Sequence, residues 1–418
     1  MNNTSLILAV AGFATLGVIL RPLRVPEYVW AVIGAVALIA FGLLPWRDAL
    51  TAAEKGSDVY LFLIGMMLLA EVARLEGLFD WLAALAVRHA KGSAKRLFLI
   101  VYAVGTLVTV LLSNDATAVV LTPAVYAAAT AARVEPLPYL FICAFIANAA
   151  SFVLPISNPA NLVIFGAHMP PLAQWLYQFT LPSMASILVT YWLLRFTQRT
   201  ALHQAISTDF AAVPLSVGGK CIAAGIVLTA AALLGASALD RQLGLPTFVA
   251  GAAVTVIVLV INRQSPRPVL RDISWGVLPL VAGLFVLVDG VRQTGILAPI
   301  TRALRDAAAS SPGETGFSAG VIVAFLSNLM NNLPTGLVAA TVSQSAHVPL
   351  GVTGGILIGV DLGPNLSVTG SLATILWLIA LRRDGEIVTA WQFLRLGIVI
   401  MPPALLAALS VLAIWPWN

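Results

Sequence analysis

Charged side chains are scarce in this sequence. Asp, Glu, Lys and Arg make up 10% of its 418 residues while 60% are hydrophobic; a soluble globular domain carries about a quarter charged residues. That balance excludes a soluble protein. The net charge of +5 does not signal a nucleic-acid partner, because Lys and Arg are scattered between apolar runs, where they set topology and meet anionic membrane lipid. Cysteine is nearly absent. Cys143 and Cys221 are the only two, too few for a disulfide framework, a thiolate metal site or capture by three thiolates, and both read as apolar core residues. His89, His168, His203 and His347 show no metal-ligand spacing, so neither a metal nor a cofactor is expected. The opening Met1-Asn2-Asn3-Thr4-Ser5 lacks the basic stretch of a signal peptide, and the first apolar run reads as a retained helix.

What the chain does have is spanning-length apolar runs in two matching series. The first runs through 5–20, 27–44, 59–75 and an amphipathic 78–90. Two apolar arms, 96–112 and 117–132, then flank Ser113-Asn114-Asp115, and a helix over 137–153 and 161–167 is interrupted at Ser157-Asn158-Pro159 before 172–196 closes the series. After a polar stretch the order repeats: 221–238, 247–261, 276–291, an amphipathic 296–307, arms breaking near 328–334, an interrupted helix over 351–378, and 393–414. The expected fold is an all-α polytopic membrane protein, an inverted-topology repeat of about ten transmembrane helices plus two re-entrant helical hairpins. Residues 1–197 form the first repeat, 198–219 a cytoplasmic linker and 220–418 the second repeat.

Loop charges support the inversion. With both termini extracytoplasmic, only Arg47, Lys55, Arg241, Arg292, Arg302 and Arg305 of the 23 Lys and Arg fall outside, the positive-inside bias of a multi-pass protein of the cell (inner) membrane. One hairpin then enters from each side and their tips meet near the midplane. Tryptophans, Trp415 and Trp417 among them, mostly fall at predicted span ends, as interfacial anchors do.

The polar breaks are the candidate functional site. Asn114 and Asn328 stand 214 positions apart in matching Ser-Asn steps. Polar groups, Pro and Gly are costly at membrane depth unless they line a protein cavity, and paired interruptions in two halves point to a transporter's substrate site. Asn114, Ser157, Asn158, Asn161, Asn328, Asn331, Asn332, Thr369, Ser371 and Thr374 supply amides and hydroxyls that either bind a small hydroxylated or ionic solute or satisfy unwound backbone. Asp115 and Asp361 have no Lys or Arg within their motifs. They read as proton-coupling or substrate-contacting groups, with capping of broken half-helices as the plain alternative. Glu71 with Arg74, and Asp289 with Arg292, are opposite charges at i,i+3 spacing and read as interfacial pairs.

These motifs resemble the ArsB family of arsenite and antimonite efflux transporters, within the larger ion transporter superfamily. The resemblance runs through Ser113-Asn114-Asp115 with Leu121-Thr122-Pro123, Phe145-Ile146-Ala147-Asn148, Ala324-Phe325-Leu326-Ser327, Met330-Asn331-Asn332-Leu333-Pro334-Thr335, and Gly359-Val360-Asp361-Leu362-Gly363-Pro364 with Gly370-Ser371-Leu372-Ala373-Thr374. It implies export of trivalent metalloid hydroxides in exchange for protons by a secondary transporter rather than an enzyme, sometimes beside an ArsA-type ATPase. Two positions depart from the family pattern. Asn148 stands in place of an aspartate and Asn365 in place of a lysine, which keeps the local charge balance but bears on proton stoichiometry. Other readings stay open. A sodium- or proton-coupled carrier of another small ion, such as a sodium–proton antiporter or an oxyanion or dicarboxylate transporter, shares the elements, and Asn carbonyls are suitable sodium ligands. An intramembrane aspartyl hydrolase would lack its usual sequence context. A passive channel would lack gradient dependence.

Overall fold

The computed structural model describes residues 2–22, 25–166, 169–204, 206 and 214–414, and every regular element among them is helical. Arg24, His168, Trp415, Trp417 and much of the expected linker lie outside the described residues. The first half contains α1 (Asn3–Leu20), α2 (Glu27–Ala40), α3 (Trp46–Glu54), α4 (Ser57–Leu75), α5 (Leu78–Ala90), α6 (Ala94–Leu111), α7 (Asn114–Ala116), α8 (Thr122–Ala131), α9 (Leu137–Ala149), α10 (Pro159–Phe165) and α11 (Leu172–Thr197). The second contains α12 (Val217–Ala238), α13 (Gly244–Ile261), α14 (Arg267–Asp272), α15 (Val277–Gln293), α16 (Ala298–Ser310), α17 (Pro312–Met330), α18 (Asn332–Ala346), α19 (Leu350–Leu362), α20 (Leu372–Arg383) and α21 (Ala390–Ile414). Seven helices among the described residues are long and apolar enough to cross a membrane by length and composition. Large apolar side chains on the outer faces, such as Phe13, Leu228 and Val260, are more than 55% exposed, as lipid-facing positions are.

The short helices α3 and α14 are absent from the sequence expectation, which ran the second span on to residue 44 and treated 262–275 as a loop. Pro45 and Pro266 each precede a short helix that Pro can start but that is too short and too polar to read as a span. They hold equivalent places: α3 leads into α4 and α14 into α15. Helix packing follows the same parallel, with α2 against α15, α4 against α13, and α11 against α21.

Lipid gives helices little apolar reason to associate, so close packing of small residues holds them together. On α17 and α19 the contact is backbone on backbone. A Cβ added at Gly355 would collide with the Gly316 carbonyl, and one at Gly359 with that of Gly320. Gly65 of α4 and Gly251 of α13 meet in the same way. Trp175, in the first turn of α11, and Trp377 are fully buried rather than exposed as interfacial anchors, and their indole N–H groups donate to Val153 O at 3.2 Å and Leu140 O at 3.0 Å. Cys143 is buried and Cys221 half-buried.

Candidate functional site

Each break in the helices has a local cause. α6 stops at Leu112 because Ser113 is extended, and the Ser113 hydroxyl accepts from Ala116 N at 3.2 Å to start the chain again. A wide turn over Thr117–Leu121 follows. Pro123 offers no N–H to the preceding turn, and Thr122 Oγ1 donates to Ala118 O at 2.8 Å instead. In the other hairpin Asn331 has φ of 73°, a left-handed backbone that separates α17 from α18, and its side chain caps Leu333 N at 3.4 Å. Asn158 caps α10 by accepting from Ala160 N at 3.0 Å, and Ser371 caps α20 by accepting from Thr374 N at 3.1 Å.

All four breaks meet at one small cavity of about 20 Å³. Its polar lining is Asn114 and Asp115 from the first hairpin, Asn332 from the second, Asn158 from the first broken helix and Ser371 from the second. Among the described residues no Lys, Arg or His lines it. A larger cavity of about 100 Å³ shares Leu63, Asp115, Pro159, Val277 and Leu372 with it and extends to Glu71 and Asp272. On the side of Lys55 and Arg292 lies a third, about 530 Å³, lined by equivalent elements including Asp58, Asp289, Leu337 and Gln344, and it does not reach the central residues.

The remaining candidates sit close by with their polar atoms turned to protein. Asn161 Nδ2 donates to Ser151 O, Leu154 O and Pro155 O at 3.0–3.3 Å. Ser157 Oγ donates to Val110 O at 3.1 Å, tying the broken helix to α6. Asn328 Nδ2 donates to Ala324 O and Gly363 O, while its Oδ1 accepts from Ser367 Oγ at 2.7 Å. Thr369 Oγ1 donates to Asn328 O at 3.0 Å, Asn331 Nδ2 reaches Thr369 O at 3.3 Å, and Thr374 pairs with Ser371 at 3.0 Å. Asn331 also lines a narrow pocket with Arg21 and Glu27. Asp361 is fully buried outside the cavity lining and accepts from Asn158 Nδ2 at 2.8 Å, a bond between the two halves. Asn148 and Asn365, the two departures from the ArsB pattern, are direct partners: Asn148 Nδ2 donates to Asn365 Oδ1 at 2.9 Å.

The charge pairs also extend between the halves. Arg74 pairs with Glu71 and reaches Asp272 at 3.1 Å; Asp289 pairs with Arg292 at 2.8 Å and with Lys55 at 3.2 Å. Glu71 and Asp289 are buried and face the two larger cavities. Ser151, whose hydroxyl donates to Asn148 O at 2.8 Å, belongs to this polar centre but was not legible beforehand, because it stands in an apolar run without a matching motif.

A family model described as "citrate transporter" matches residues 15–364. The chain belongs to that CitMHS family. It is a transporter. Among relatives of this citrate transporter family member, it is 28% identical to an arsenical pump membrane protein of Escherichia coli, over 92% of each chain. It is 27% identical to one of Yersinia enterocolitica, over 84% of this chain and 85% of that one. The resemblance carried by its motifs thus covers nearly the whole chain. Its fold is also that of the Neisseria gonorrhoeae MtrF structure, with a TM-score of 0.60 at 12% identity, covering 99% of this chain and 95% of that one.

Proposed function

We propose that the protein exports trivalent metalloid hydroxides, arsenite and antimonite, in exchange for protons by alternating access. In this reading the halves 1–197 and 220–418 lie inverted in the inner membrane, joined by a cytoplasmic linker, and α6–α8 and α17–α18 are re-entrant hairpins. The observation that carries it is the convergence of four helix breaks on a cavity lined by three amides, a hydroxyl and one carboxylate, with no cationic side chain among the described residues. Arsenite and antimonite near neutral pH are uncharged trihydroxides, and such a lining offers them several hydrogen-bond donors and acceptors. Relatives named arsenical pump membrane proteins support the same cargo.

The family's description favours a second reading, a carboxylate carrier. A multiply charged anion would meet the N-termini of α10, α18 and α20 there, but no Arg or Lys among the described residues, and Asp115 in the lining opposes one. Size points the same way. The central cavity has room for about one water, and the adjoining 100 Å³ cavity suits a small solute better than citrate.

A neutral solute gains nothing from membrane voltage, so uphill export needs a coupled charge. One proton crossing 100 mV supplies about 2.3 kcal/mol, a gradient of roughly fiftyfold. Asp115, open to two cavities, and Asp361, behind Asn158, are the carboxylates placed to carry it. The test is metalloid accumulation in everted vesicles under an imposed pH gradient, with Asp115→Asn and Asp361→Asn. At least one variant is expected to abolish accumulation while remaining in the membrane; full activity in both sinks the coupling role. Sodium-dependent uptake of citrate without any metalloid transport supports the second reading.

A further inference from the structure

Methionine is sparse in this chain, 7 residues in 418, and two of them, Met66 and Met67, are adjacent on α4. That helix turns one stripe toward the polar centre. Leu63 lines both the central cavity and the 100 Å³ cavity beside it, and Met66, Met67, Ala70 and Glu71 continue along the wall of the second. At the rise of an α-helix the stretch from Leu63 to Glu71 covers about 12 Å, with the two methionines one turn beyond Leu63. Asp115 and Glu71 both border this cavity, so a solute moving from one to the other passes them. The second half does not repeat the arrangement. Leu63 and Val281 both border the central cavity, and Glu71 and Asp289 hold matching places on the two larger ones. Met67 thus answers to Phe285, which lines the 530 Å³ cavity, and Met66 to Leu284. Among the described residues, neither methionine nor cysteine lines that cavity.

Thioether sulfur is soft and polarisable, whereas the polar side chains of the two connected cavities offer only oxygen and nitrogen. Trivalent arsenic and antimony are soft centres with an open face opposite each hydroxyl, and antimony is the softer. We propose that Met66 and Met67 are specificity-determining residues, giving the soft contact that captures a trivalent metalloid hydroxide on the Glu71 side and favours antimonite over arsenite. This role rests on the export reading and adds to it the basis of selectivity and the side of loading. The contact is non-covalent: the hydroxide keeps its three oxygens and each sulfur its methyl group. On the far side, where Phe285 replaces sulfur, release meets no such hold.

Accumulation of antimonite and of arsenite in everted vesicles, each over a range of concentrations, tests this with Met66→Leu, Met67→Leu and the double variant. Leucine keeps volume and apolarity, so protein level and maximal rate should hold. In the double variant KM for antimonite should rise about tenfold, and KM for arsenite by less. Met184→Leu, on the exposed face of α11, should change neither. If the double variant fails to accumulate in the membrane, the single variants decide, each with a smaller rise in the same order. Unchanged KM for both substrates, or an equal rise for both, overturns the role of the methionines and leaves export standing. Wild-type vesicles that accumulate neither metalloid sink the export reading, and this role with it.

Discussion

At the residue scale, Asn158 does two tasks with one amide: Oδ1 caps α10 and Nδ2 holds Asp361 across the halves. Asn158→Ala removes both and should cost about 1–3 kcal/mol, from the lost cap and the unmet buried carboxylate. Asn158→Ser keeps a cap but is too short to reach Asp361. Thermal stability should therefore recover in part while proton-coupled transport does not, and side-by-side unfolding and vesicle assays separate the two tasks. That Asn158 belongs to the site was legible from the Asn-Pro-Ala-Asn step. Its partner was not, since 203 positions separate them and nothing local pairs the two. The same holds for Asn148 with Asn365, and for Lys55 with Asp289.

At the scale of elements, glycines sort by what surrounds them. Gly355 and Gly316 lie where α17 and α19 touch through their backbones, whereas a Cβ at Gly235 of α12 or Gly12 of α1 would meet nothing. Gly355→Val is expected to lower stability by about 1–3 kcal/mol through overpacking. Gly235→Ala should raise it by about 0.5–1 kcal/mol by removing a flexible residue from a helix interior. Denaturation of the two variants in one detergent checks both signs. The helices themselves were readable because their apolar runs are long, and the breaks because polar residues, Pro and Gly interrupt them. α3 and α14 escaped notice because they are short and partly polar, and Trp175 and Trp377 because burial is decided by neighbours distant in sequence.

At the scale of the molecule, the proposed inverted arrangement makes a directional claim. Arg47 and Arg241 should face outside, Arg88 and Arg267 the cytoplasm, and all four are exposed. In a Cys221→Ser background that keeps buried Cys143, single cysteines at positions 47 and 241 should react with a membrane-impermeant maleimide in intact cells. Cysteines at 88 and 267 should react only after permeabilisation. A cysteine at 241 labelling like one at 267 would place both ends of α13 on one side and end the inversion.

The bond from Asn158 to Asp361 has one more consequence. A gap in one half of the chain is closed by a group from the other, so neither half is self-sufficient. Expressed as two separate polypeptides, 1–205 and 206–418, each piece would expose a polar group to lipid with nothing to meet it. Stable protein should accumulate only when both are made in the same cell.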